Sequence, residues 1–111
     1  MKEVKAYVHH DRIADVISAL KNSPTWGGVA GDWSHNLAVV PVKSLLPHDK
    51  DGRHYSIEVG DEVVNEFKVE LICEDSEAPA LIDAITAAAR TGQPIAGWIS
   101  VSDLGRATPI R

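Results

Sequence analysis

The sequence predicts an α+β fold, one antiparallel sheet with two helices packed on one of its faces, and three observations lead there. Short alternating segments bracket two helical ones in the order β-α-β-β-α-β. Both helical segments carry a single apolar face. The 111 residues suffice for one hydrophobic core. The whole chain, residues 1–111, is expected to form one domain.

Val4, Ala6 and Val8 alternate with Lys5 and Tyr7, the pattern of a strand with one buried face, and His9-His10 ends it. Asp11 is placed to cap a helix whose Ile13, Val16, Ile17 and Leu20 recur at i, i+3, i+4 and i+7. Asn22-Ser23-Pro24 stops that helix, and a Gly-rich loop follows to His35, with Trp26 and Trp33 as large anchors or as a cap over a cleft. Strand character resumes from Leu37 to Val42, where Pro41 requires an edge or a bulge. Ser44 to Gly60 is polar and turn-rich around Asp51-Gly52, and is expected to be a long mobile loop.

The second half is organised around residues 68–103. Lys68 to Cys73 reads as a strand. Ser76 can cap the next helix and Pro79 fits its first turn, with Ala78, Leu81, Ile82, Ile85, Ala88 and Ala89 on one face. Arg90 complements the helix C-terminal dipole, Gly92 is suited to a positive φ, and Ile99 and Val101 begin a last strand. The loop from Arg90 to Gly97 is either an ordinary connection or a rigidly held set of backbone N–H groups that suits an anion. This element order is the ferredoxin-like sandwich. Apolar residues of both parities, Val39, Val40, Val42, Leu71 and Ile72, suggest that the second sheet face is covered too, in an oligomer.

A net charge of −5 without a basic stripe argues against nucleic acid as a partner. The single Cys73 allows no disulfide framework and reads as a small buried hydrophobe. The charged N-terminus is no secretory signal and no stretch reaches membrane-span length, so a cytoplasmic location is expected. No nucleophile, base and orienting acid fall in a recognisable catalytic pattern, and Glu74, Asp75 and Glu77 suit a helix N-terminus, so no enzyme is expected.

Residues 1–20 and the run from Ile82 to Arg111 resemble the PII signal-transduction family, most specifically in Ala89-Arg90-Thr91-Gly92 followed by Gly97-Trp98-Ile99. The resemblance implies a homotrimer that binds adenine nucleotides between subunits and signals through the loop at residues 44–60. Its implied targets are enzymes, transcription regulators or membrane transporters, and a membrane transporter is the expected partner here. It makes Arg90, Thr91 and Gly92 the loop that approaches phosphates, beside Gly97, and puts Tyr7 near the base and Trp98 along the cleft. Gln93 stands where the family has a lysine. Pro109 replaces one of two closing arginines and Arg111 matches the other. Arg106 and Lys43 are left as compensating cations. The loss of two cations points to ADP or AMP rather than ATP as effector, because each charge-assisted hydrogen bond contributes about 1.5–3 kcal/mol. No 2-oxoglutarate sensing is expected, since Ser44-Leu45-Leu46-Pro47-His48 departs from the family's pattern. The alternative is a trimeric metal-binding protein, similar to the copper-tolerance proteins and linked to metal efflux. Its divalent ligands would be His48, Asp49, Asp51 and His54, with His9, His10 and His35 elsewhere. A third possibility is an interaction module without a ligand.

Overall fold

A computed structural model describes residues 1–24, 36–45 and 63–110. In chain order it contains β1 (Lys2–His9), a 3-10 turn (His10–Arg12), α1 (Ile13–Lys21), β2 (Ala38–Leu45), β3 (Val63–Cys73), α2 (Ala78–Ala89) and β4 (Trp98–Asp103). The four strands form one sheet in the order β2-β3-β1-β4, with every neighbouring pair antiparallel. This is the split β-α-β arrangement expected from the sequence, with β3 inserted between β1 and β2.

Register fixes the two faces. Val4 pairs with Leu71 and Val101, and Ala6 pairs with Val69 and Ile99, so these residues share one side of the sheet. Val4, Ala6, Val8, Val69, Leu71 and Cys73 are buried there against Val16 and Leu20 of α1 and Ala78, Leu81 and Ile85 of α2. Burial pushes the Cys73 thiol up from its ordinary value, which makes it a poor nucleophile and suits the expected role of a core residue. Pro41 is accommodated because β2 is an edge strand that pairs, among the described residues, with β3 alone.

Apolar residues do fall on both faces, as expected, though on the second they alternate with charges. Val39 and Leu71 have the parity of the helix-covered side, through their register partners Val69 and Val4. Val40, Val42 and Ile72 have the opposite parity, interleaved with charges. Lys5 meets Glu3 at 3.3 Å and Lys68 meets Glu70 at 2.9 Å. The hydrogen bond from Lys68 holds the Glu70 carboxyl below the usual carboxylate range and the Lys68 ammonium above its own.

Several boundaries move. Ser44 and Leu45 belong to β2, paired with Val64 and Val63, so the connection expected at 44–60 runs over residues 46–62, outside the described residues. The third strand starts at Val63 rather than Lys68, because β2 offers a partner for each added residue. Asp11 does not cap α1. It sits inside the 3-10 turn, where its backbone N–H donates to His9 Nδ1 at 3.1 Å. Ser76 does not cap α2 either: the N-cap is Glu77, whose Oε1 accepts from Glu74 N–H at 2.8 Å. Pro79 is at the helix start as expected.

The end of β3 is held by a side chain. Asn36 Oδ1 accepts from Ile72 N–H at 3.1 Å while Asn36 Nδ2 donates to the Ile72 carbonyl oxygen, so the carboxamide acts as one more rung of the ladder. Asn36→Ala is expected to cost about 1–3 kcal/mol, by removing both partners of a half-buried peptide unit. An unchanged denaturation midpoint would refute this role.

Candidate functional site

The loop after α2 closes one end of the sandwich. Arg90 leaves the helix in an extended conformation, with φ −62° and ψ 137°. Gly92 follows with φ 89°, a left-handed conformation that costs other L-residues about 1–2 kcal/mol. The Thr91 hydroxyl oxygen accepts from Gln93 N–H at 3.3 Å, bracing the turn. Helix α2 thus ends at Arg90 itself, and the glycine shapes the loop two residues on.

Between this loop, the C-terminal half of α2 and the end of β1 lies a cleft of about 630 Å³. Arg90, Gly92, Gln93 and Gly97 line it with Tyr7 and Trp98, which are register partners on β1 and β4. Its apolar wall comes from Ile82, Ile85 and Ala89 of α2 and from Ile95. Trp98 is 70% exposed and Ile95 62%, so large apolar groups are exposed around the cleft, a feature of surfaces that bind. The volume lies within the range of small-molecule sites, about 300–1,000 Å³.

A second hollow of about 440 Å³ shares Arg90 and Gln93 with the first and adds Thr91, His9, Asp11 and Arg12. Arg90 therefore stands between an apolar cleft and a polar one. Arg12 is already engaged: its Nε donates to the Ala88 carbonyl oxygen at 3.0 Å and its Nη1 lies 3.0 Å from Asp15 Oδ2. It caps the end of α2 from the start of α1, a pairing across 76 residues that local sequence does not signal.

Of the residues expected to bind nucleotide, Tyr7, Arg90, Gly92, Gln93 and Gly97 line the cleft, with Trp98 beside them, and Thr91 lines the adjoining hollow. Lys43 is on β2, across the sheet from β4, and lines neither. Arg106 Nε donates to Thr108 Oγ1 at 3.3 Å and also lines neither. Arg111 lies outside the described residues, as do His48, Asp49, Asp51 and His54, His35, Trp26 and Trp33. Ile82, Thr86 and Ile95 were not anticipated as lining residues, nor were His9, Asp11 and Arg12. The helical period does place Ile82 and Thr86 on one stripe, whereas the others meet the loop only through tertiary structure.

No helix among the described residues is long and apolar enough to cross a membrane. No family model matches the chain. A nitrogen regulatory protein P-II from Microchaete diplosiphon is 30% identical over 112 aligned residues, covering 100% of this chain and 92% of that protein. That likeness runs through both β-α-β halves and the loop between α2 and β4, and by it the chain belongs to the PII family.

Proposed function

We propose that this chain is a PII-family signalling protein that binds an adenine nucleotide, ADP or AMP, through the loop from Arg90 to Gly97. It regulates a partner rather than catalysing a reaction. The relative's name, nitrogen regulatory protein, supports regulation as its general role. The observation that carries the ligand reading is the pair of adjoining hollows that share Arg90. A base and sugar fit the apolar cleft beside Tyr7 and Trp98, and a short phosphate chain fits the polar hollow, paired with Arg90 and the loop N–H groups.

Arg90 is the cation of the loop, since Gln93 is neutral and Arg12 is held by Asp15, which favours a mono- or diphosphate over a triphosphate. The open flank of the cleft is closed by a second and third copy of the chain in a homotrimer. Lys43, distant from the cleft within one chain, and Arg111 would be supplied across that subunit boundary. The connection between β2 and β3 carries the signal to a partner, a membrane transporter, drawing the protein to the membrane from the cytoplasm.

Calorimetry with AMP, ADP and ATP on the purified protein, with its mass measured by light scattering, tests this. ADP or AMP is expected to bind more tightly than ATP, to a particle of three chains. Arg90→Ala is expected to weaken binding about tenfold to a hundredfold, the equivalent of about 1.5–3 kcal/mol. A nucleotide affinity unchanged in Arg90→Ala would overturn the site, and a monomer would overturn the shared cleft.

A further inference from the structure

At the end of β1, three consecutive side chains bring metal-ligating atoms together. One atom each from His9, His10 and Asp11 lie within 4.8 Å of one another. His10 Nε2 is 3.1 Å from Asp11 Oδ1, and His9 Nδ1 is 3.7 Å from Asp11 Oδ2. Two ligands on a tetrahedral cation with bonds of about 2.0–2.1 Å stand about 3.3 Å apart, so the present spacing is close to that of a chelate.

The surroundings orient the donors. His10 Nδ1 is 3.1 Å from the Asn65 carbonyl oxygen, which can only accept. The Nδ1 ring proton points at that carbonyl, while Nε2 faces the Asp11 carboxylate, where a cation would stand in place of a second ring proton. A backbone carbonyl behind an imidazole is the usual support of a metal-bound histidine. His9 Nδ1 accepts from Asp11 N–H at 3.1 Å, which puts the ring proton on Nε2; a cation at Nδ1 would take that lone pair over from the N–H. The two rings stack with centroids 4.3 Å apart, which limits their rotation. Below them the backbone is fixed, because His9 pairs with Glu66 in the ladder. Glu66 adds negative charge nearby, and Arg12, the neighbouring cation, is neutralised by Asp15.

We propose that His9, His10 and Asp11 form a binding site for a divalent late first-row cation of the zinc type. Two imidazole nitrogens and one carboxylate oxygen are the donor set such ions take, and water completes the coordination. The site uses neither His48 nor His54 as a ligand and needs no nucleotide. It shares His9 and Asp11 with the polar hollow, so a bound cation adds positive charge to that wall.

The test is calorimetry with Zn²⁺ on the full, chelator-stripped and nucleotide-free protein. One site per chain is expected that loses at least about tenfold in affinity in His10→Ala and in Asp11→Asn. It should persist in the His48→Ala, His54→Ala double variant. Asp11→Asn changes one atom and keeps its backbone N–H, so it remains informative if His10→Ala folds poorly. Zinc-induced shifts of the His9 and His10 ring resonances give a second readout, also expected. No zinc binding by the unmodified protein would overturn the proposal. So would binding lost only in the double variant, or affinity unchanged in both His10→Ala and Asp11→Asn.

Discussion

Gly97→Ala is expected to detach the start of β4 and with it to abolish the nucleotide binding proposed for the cleft. A Cβ at Gly97 would overlap the Tyr7 carbonyl oxygen and lie 3.3 Å from the Tyr7 carbonyl carbon. Neither atom can give way cheaply, because Tyr7 is in β1, paired with Lys68 on one side and Trp98 on the other. The strain must fall on β4, at the Tyr7 to Trp98 pair that borders the cleft. Overpacking of this kind costs about 1–3 kcal/mol, and a clash with backbone belongs at or above the upper end. A midpoint in urea and hydrogen-exchange protection at Trp98 measure it. Gly105→Ala is the control, since nothing lies within 4 Å of its Cβ position. If both variants match the unmodified protein, the close approach does not hold β4 in place.

Leu81→Ala is expected to produce the largest loss of stability. Leu81 is 0% exposed, in the core that joins α2 to the sheet, and its truncation leaves a cavity that close-packed neighbours cannot fill. Leu-to-Ala changes in cores cost about 2–5 kcal/mol, a large part of the roughly 5–15 kcal/mol that holds a domain together. At about 4 °C per kcal/mol, the melting temperature should fall by about 8–20 °C. Asp83→Ala, on the exposed side of the same helix, should stay within about 0.5 kcal/mol. Equal losses for the two would mean that α2 does not pack as described.

The fold was legible because its main signals are periodic and local. The alternation of Val4, Ala6 and Val8, and the helical spacing of Val16 with Leu20 and of Leu81 with Ile85, all lead to buried positions. Pro41 on an edge and Gly92 at a positive φ followed from chemistry that each residue carries by itself. The caps were not legible, because Asp11 and Ser76 have capping chemistry but the helix starts are held by His9 and Glu77 instead. Nor was the extent of β3, since Asn65 and Glu66 break the alternation and are held by pairing with Lys43 and Val42.

The cleft was half legible. The Arg90 to Gly97 segment announced a loop with glycines, and the structure lines a cleft with most of it. The requirement for glycine at 97 comes from Tyr7, ninety residues earlier, and no local pattern carries it. The same holds for the polar hollow, where a 3-10 turn at residues 10–12 faces the loop at Arg90.

The central position of β1 also bears on how the chain is made. β1 precedes both of its neighbours, since β3 and β4 are encoded after residue 62, and its last partner is Asp103. Met1 is likewise joined to late residues, its ammonium 2.5 Å from Asp75 Oδ1 and its carbonyl accepting from Leu104 N–H at 3.0 Å. The earliest sheet pairing open to the nascent chain is β2 with β3, once residues 46–62 have been spanned. Closing such long intervals before any contact rewards them slows folding. The sheet therefore cannot close until β4 has been made, and a chain that stopped short of Trp98 would leave β1 as an unprotected edge, with the row of free peptide groups that drives strands to pair between molecules.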